Sequence, residues 1–316
     1  MFTIKDAIDK GCLLLKDNNI ENFKDECLLI LEHILQKKRT FLYTYPEHVL
    51  TRKQYNTFME LINKRCTHQP LQYLLGYQEF MGLNFSVNPD VLIPRQDTEV
   101  LVETVLNNLP KSINISILDL CTGSGCISIS LAHFIKNATV IGVDISKNAL
   151  KTAYLNAKLN NVLDVVFFIQ NDILHDFGHF LTNPLDFFNR KMPPINKFDI
   201  IVSNPPYIPL EEMKTLDVDV VNFEPNIALY GGVDGLDFYR QIINVAPEVL
   251  CEHGKLYFEV GYNQAKKVSK LMKDTFCNIK IIQDFNGIDR VVLGEKIWRV
   301  NVYIVRKIRY NILQGR

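Results

Sequence analysis

The chain has 316 residues, 47% hydrophobic and 22% charged, with 35 basic side chains against 35 acidic ones. That length suits one large domain or two smaller ones with a sizeable core, and the charge balance argues against wrapping nucleic acid or an anionic membrane surface as a whole. The seven cysteines include no CxxC pair and there is no HExxH or histidine cluster, so free thiols in a reducing, cytoplasmic setting are expected, with no disulfide frame and no metal.

Residues 1–70 read as helical. Ile4, Ala7, Ile8, Leu13, Leu14 and Leu15 suit one amphipathic helix, Cys27, Leu28, Ile30, Leu31 and Ile34 a second within Glu26–Leu35, and Tyr55, Phe58, Met59, Leu61 and Ile62 a third. The first eleven residues mix acid and base with no apolar core, unlike a signal or transit peptide, and no apolar run in the chain reaches membrane-spanning length. Residues 71–96 change character: Phe80, Leu83, Phe85 and Val87 alternate with Gly82 and Asn84 before Asn88-Pro89-Asp90 turns the chain, which predicts a β-hairpin linker. Helical periodicity resumes after Asp97, read as an N-cap with Glu99 in the first turn.

From Ile115 the pattern alternates. Strands are predicted at Ile115–Leu120, Thr139–Val143, Val165–Gln170, Phe198–Val202, Lys255–Val260, Ile279–Ile282 and Arg290–Leu293, with helices near Cys126–Lys136, Lys147–Asn160, Asp237–Leu250 and Gln264–Thr275. Strands alternating with helices predict a Rossmann-like α/β domain over 97–294: a seven-stranded, mostly parallel sheet covered on both faces, ending in an antiparallel pair. His175–Lys197 reads as an insertion between two core strands. Residues 295–316 are a basic tail carrying Trp298, Tyr303 and Tyr310, either a loosely docked extension or an RNA-binding arm.

Three strand ends carry ligand-binding signals. Asp119-Leu120-Cys121-Thr122-Gly123-Ser124-Gly125 follows the first strand and opens a helix; its glycines let the backbone turn sharply and pass close to a ligand. Asp144 ends the second strand, where a carboxylate can accept both hydroxyls of a ribose; alternatively Asp144 or Ser146 caps the next helix. Asp172 follows the third strand, either accepting from an adenine amino group with Ile173 against the ring or serving as a turn residue. Without a GxGxxG or a Walker GKS/T, this nucleoside site fits S-adenosyl-L-methionine better than a dinucleotide or ATP.

The fourth strand runs into Ser203-Asn204-Pro205-Pro206-Tyr207. A planar amide or aryl amine attacks a methyl group only if its N–H bonds are held so that the nitrogen can pyramidalise. The Asn204 side-chain oxygen and the Pro205 carbonyl can each accept one hydrogen, the Tyr207 ring can lie on the flat face of the substrate, and Pro205 and Pro206 stiffen the loop beforehand. The competing structural reading is a Pro-rich turn closing a strand, with Tyr207 as core filler.

These motifs, together with Pro70–Gly76, Leu92-Ile93-Pro94-Arg95-Gln96-Asp97-Thr98-Glu99, Glu224–Gly232 and Asp234-Gly235-Leu236, occur in an order that resembles the PrmC/HemK family of peptide chain release factor glutamine methyltransferases over roughly residues 1–294. The resemblance implies a class I methyltransferase domain behind a small helical domain that helps grip class I release factors. It implies S-adenosylmethionine contacts from Cys121–Gly125, Asp144, Ile173 and Asn204, and a substrate glutamine, from a Gly-Gly-Gln motif, held by Asn204, Pro205, Pro206 and Tyr207. The Gln96–Glu99 continuation sets this branch apart from relatives that modify a ribosomal protein. The family usually has Gly where Cys121 stands and often an aromatic residue at Ile173. A monomer with no stable nucleic-acid binding is expected. The competing function is an adenine exocyclic-amine methyltransferase acting on DNA or RNA, which normally shows a basic groove; a third is a non-catalytic release-factor or ribosome binding module on the same fold.

Overall fold

The computed structural model describes residues 2–111, 114–175 and 186–297. The N-terminal region is a bundle of α1 (Ile4–Asp17), α2 (Phe23–Leu35), α3 (Arg39–Thr44) and α4 (Arg52–Cys66), followed by the short α5 (Leu71–Leu75). Thr3 with Asp6 and Thr51 with Gln54 form reciprocal capping boxes that start α1 and α4, satisfying amide groups that the first helical turn cannot pair internally. Ile4, Leu15, Leu28, Ile30, Phe58 and Ile62 are buried at their centre. The bundle also carries a small antiparallel pair, β1 (Phe2–Thr3) with β2 (Val49–Leu50), which is too short to leave a period-two signal in the sequence.

The hairpin follows as β3 (Tyr77–Phe80) and β4 (Leu83–Ser86). Next comes α6, which spans Gln96–Leu106 with Arg95 at its N-cap position. This corrects the reading of Asp97 as the cap: Asp97 is already helical, and its carboxylate accepts from Arg290 at 2.7 Å. The remaining elements that position the site are β5 (Ile115–Leu120), α7 (Cys126–Phe134), β6 (Ala138–Asp144), α8 (Lys147–Leu159), β7 (Val166–Gln170), β8 (Phe198–Ser203), β9 (Leu250–Glu259), β10 (Phe276–Gln283) and β11 (Asp289–Lys296), with helices at Asp237–Val249 and Ala265–Met272.

The seven-stranded sheet has the order β10-β11-β9-β8-β5-β6-β7. Strands β9, β8, β5, β6 and β7 run parallel, and β11 is antiparallel to both neighbours. One face packs on α6, α7, α8 and the hairpin through Phe80, Phe85, Leu101, Ile129 and Phe168; the other packs on the two C-terminal helices through Tyr239, Ile242, Phe258 and Val268. Each of these large apolar side chains contributes about 1.5–3 kcal/mol when fully removed from water. The chain reverses direction across the sheet between β5 and β8, so the loops after β5, β6, β7 and β8 converge where ligands bind in such sheets.

The described part of the insertion has a structural role that its sequence did not reveal. Phe187 N–H donates to Phe168 O at 2.6 Å, Phe168 N–H donates to the buried Asp186 carboxylate at 3.0 Å, and Arg190 donates to Leu163 O and Val166 O. Asp186 and Arg190 also pair at 2.7 Å. This segment therefore covers the outer edge of β7, which would otherwise expose unpaired backbone groups. Residues 176–185 of the insertion, and the tail with Trp298, Tyr303 and Tyr310, lie outside the described residues. Among the described residues no helix is long and apolar enough to cross a membrane, and no cluster of three or more acidic, His or Cys side chains could hold a metal ion. All seven cysteines are free.

Candidate active site

A cavity of about 630 Å³ opens at the carboxyl ends of the parallel strands; among its lining residues are Cys121, Gly123, Asp144, Asp172, Ile173, Asn204 and Pro206. These seven candidates come from four different strand ends. The other candidates lie around the cavity rather than on its wall. Asp119, Thr122, Ser124, Gly125, Pro205 and Tyr207 are not among the lining residues.

Asp119 lies deepest of the candidates. It is fully buried beneath the loop and accepts from Thr122 Oγ1 at 2.6 Å, from Ser128 Oγ at 2.5 Å and from Ser128 N–H at 3.2 Å. Burial pushes its carboxyl up to about 6, against the pull of these donors. Thr122 is buried with it, its N–H donating to Val143 O at 2.9 Å. Asp119 therefore shapes the loop from below and makes no cavity surface. Gly125 also serves packing: at φ +80°, a Cβ there would meet Ile129 Cδ1 at 2.9 Å and Ala153 Cβ at 3.1 Å. Ser124 O accepts from the buried Asn156 amide, which also exchanges two hydrogen bonds with the Ser86 backbone of the hairpin. Sequence reading missed Asn156, because an Asn inside a helix carries no signal of a distant partner.

At the second strand end, Asp144 Oδ2 accepts from Gly123 N–H at 2.8 Å and Oδ1 from Ser146 N–H at 2.9 Å. Burial raises its pKa, and these donors counter only part of that rise. Ser146 itself caps α8 through Ala149 N–H, so Asp144 is not needed as the cap. At the third strand end, Asp172 accepts from Leu174 N–H and pairs with His175, while Ile173 is buried beside it. Cys121 has φ +62°, a left-handed conformation in which a Cβ costs about 1–2 kcal/mol; burial pushes its thiol pKa up.

Asn204 Nδ2 donates to the buried Thr98 Oγ1 at 3.2 Å. Its loop is held on several sides. Ile208 N–H donates to Leu229 O and Gly231 N–H to Ile208 O, and a Cβ on Gly231 would meet Pro206 O and Tyr207 Cα at 2.6 Å. The buried Gln264 donates to Tyr207 O at 2.8 Å. The Tyr207 ring packs partly buried against the core over the C-terminal helices; burial and the nearby Glu259 raise its phenol pKa. Arg95 forms an ion pair with the buried Glu224, which also accepts from Ile93 N–H. The Leu92–Glu99 and Glu224–Gly232 motifs are thus parts of one scaffold around the Asn204 loop: Thr98 holds Asn204, Asp97 holds Arg290, and Glu99 accepts from Met81 N–H in the hairpin turn. Gln264 belongs to the same scaffold, and the Tyr239 hydroxyl beside it donates to the Glu259 carbonyl; sequence reading picked out neither Gln264 nor Glu259.

A seven-stranded sheet of this order, with acidic residues at its second and third strand ends and an Asn-Pro-Pro-Tyr loop at its fourth, defines a class I methyltransferase. Residues 111–299 match the family model described as a methyltransferase domain, and residues 6–76 match the PrmC N-terminal domain. A release factor glutamine methyltransferase of Clostridium acetobutylicum is 38% identical over 292 residues, covering 92% of this chain and 98% of that protein. One of Geobacter sulfurreducens is 38% identical over 295 residues, covering 93% and 97%. The chain belongs to the release factor glutamine methyltransferase family. Among solved structures, the hMettl16 catalytic domain in complex with a 3′UTR hairpin superposes with a TM-score of 0.51 at 12% identity, covering 79% of this chain and 84% of that one; that likeness concerns the fold alone.

Proposed function

We propose that this chain methylates the side-chain amide nitrogen of the glutamine in the Gly-Gly-Gln motif of class I peptide chain release factors, with S-adenosylmethionine as donor. The observation that carries the reading is the Asn204 amide, anchored through Thr98 at the wall of a cavity that also presents Asp144 and Asp172. The relatives above, named for this activity, supply the substrate class.

The cavity residues fit the donor. Asp144 and Asp172 offer carboxylate oxygens to ribose hydroxyls and an adenine amine, Ile173 an apolar surface to the ring, and Gly123 (φ +54°) leaves open space where a Cβ would project. When bound, S-adenosylmethionine supplies an electrophilic sulfonium methyl. The chain's own part is positioning: Asn204 Oδ1 and the Pro205 carbonyl accept the two N–H bonds of the glutamine amide, and the Pro-Pro segment keeps the loop rigid. Tyr207 shapes this rim from its packed position. No covalent intermediate on the protein is required. Residues 1–70 act as the release-factor-binding domain, 71–96 as the linker and 97–294 as the catalytic domain, working as a cytoplasmic monomer.

The test is methyl transfer from labelled S-adenosylmethionine to purified release factor, alongside a variant lacking the Gly-Gly-Gln glutamine. Label on the intact factor and none on the variant is expected. Label on neither, with cofactor binding intact, would redirect the search to a nucleic-acid amine.

A further inference from the structure

Asn204 can accept from a substrate amide only if its oxygen, not its nitrogen, faces the cavity. A hydroxyl partner alone does not decide this, because it can donate or accept equally well. Something beyond Thr98 has to break the symmetry.

The sheet register supplies a candidate. Ser203 pairs with Phe258 across β8 and β9, so Asn204 and Glu259 leave adjacent parallel strands side by side. Glu259 is 2% exposed and Thr98, in the first turn of α6, is equally buried. Glu259 forms no ion pair among the described residues: Arg290, the cation that acts on it, is bonded to Asp97 and Asp284 instead. Its Oε2 has no hydrogen-bond partner, and the nearby Thr98 hydroxyl and Asn204 amide both favour its ionised form. An ionised carboxylate accepts only. A Thr98 hydroxyl turned toward it must present its lone pairs elsewhere, and Asn204 Nδ2 donates to that oxygen at 3.2 Å. With its nitrogen engaged inward, Asn204 turns Oδ1 outward.

We propose that Glu259, buried beside Thr98 and Asn204, is a positioning residue of the methyl-transfer site, fixing the sense of the Asn204–Thr98 hydrogen bond so that Asn204 Oδ1 faces the substrate amide. This rests on the reading of Asn204 as the amide acceptor. Protonating Glu259 would turn an obligate acceptor into a donor and remove that sense. Burial pushes its carboxyl up to about 7; Arg290 lowers it and Asp97 raises it. Tyr207, Tyr239 and Cys126, on three other elements, also feel its charge. Turnover by the wild type should therefore fall as pH drops below about 7.

The experiment uses the full chain with purified release factor and compares wild type, Glu259→Gln, Thr98→Val and Thr98→Ser. Measured are kcat and KM for the factor, S-adenosylmethionine affinity by calorimetry, and hydrogen exchange of the Asn204 side-chain amide by NMR on ¹⁵N-asparagine-labelled protein. Glu259→Gln and Thr98→Val are expected to lose about 10²-fold in kcat, as a misaimed reactive group does, with cofactor affinity and KM nearly unchanged. Thr98→Ser should stay near wild type, the acid-side fall in kcat should vanish in Glu259→Gln, and Asn204 exchange should accelerate in the two impaired variants. Wild-type kcat and wild-type Asn204 protection in Glu259→Gln would overturn the assignment. If that variant does not fold, full activity in Thr98→Val does the same. A wild type that labels no release factor sinks the functional reading instead, and Asn204 exchange then still decides the positioning role.

Discussion

Asn204 is the residue on which turnover should depend most steeply. Its side chain does not supply the cavity's carboxylates, so Asn204→Ala should lower kcat by about 10²–10³-fold, the usual loss on removing one polar group that stabilises a transition state, while S-adenosylmethionine affinity moves only a few-fold. Steady-state kinetics set beside calorimetry separates the two; equal losses in both would make Asn204 a cofactor ligand only. Cys121 poses a different question. It stands at φ +62°, where a side chain is strained and Gly is not. Cys121→Gly should therefore be more stable than Cys121→Ala by about 1 kcal/mol, the usual preference for Gly at a left-handed position, as read from urea midpoints. The reverse order would mean that the loop relaxes to negative φ.

At the scale of elements, the Glu224–Gly232 segment and the Asn204 loop touch backbone to backbone at Gly231. No side-chain rotation relieves a Cβ placed 2.6 Å from Pro206 O, so Gly231→Ala must displace the loop that carries Asn204. A loss of about 10²-fold in kcat is expected from such a shift, with little change in cofactor affinity; unaltered kcat would show that the loop tolerates the movement. A second link joins the helical bundle to the helix Val218–Phe223. Arg65, 8% exposed, pairs with Glu26 at 2.7 Å and with Asp219 at 2.8 Å, and His68 meets the same Asp219 at 2.9 Å. Arg65→Ala leaves the Glu26 carboxylate, 13% exposed, without its cation, and should cost about 3 kcal/mol in stability, since breaking a buried pair strands a charge. Chemical denaturation measures that directly.

For the whole molecule, two buried carboxylates beside the site ionise at a cost. Asp119 is pushed up to about 6 and Glu259 to about 7, in both cases first by burial. Both folded-state values lie above the unfolded ones, so the native state binds these protons more tightly. The stability they contribute is complete below about pH 4 and is lost as pH rises toward 7, by an amount on the order of 3 kcal/mol for each group at about 1.4 kcal/mol per unit. Glu259→Gln removes one of the two titrations. Its melting temperature relative to wild type should therefore climb between pH 5 and pH 8, and a gap that stays constant across that range would refute a Glu259 whose carboxyl is raised by burial.

The sequence by itself determined the strand-helix alternation, the loops at the strand ends and the identity of Asn204, because hydrophobic periodicity and turn chemistry are local properties that a chain carries wherever it folds. It also determined the motifs around Arg95 and Glu224, but not that the two pair with each other. Only the tertiary structure decided which candidates line the cavity: Asp119 and Gly125 read as ligand-facing from their motif, yet one is sealed under the loop and the other is pressed against Ala153. It alone showed that Asn156 and Gln264 hold the scaffold, and that the end of the insertion shields β7. Those roles depend on partners tens of residues distant, and an isolated polar side chain gives no sign of the partner it will meet when strands far apart in the chain become neighbours.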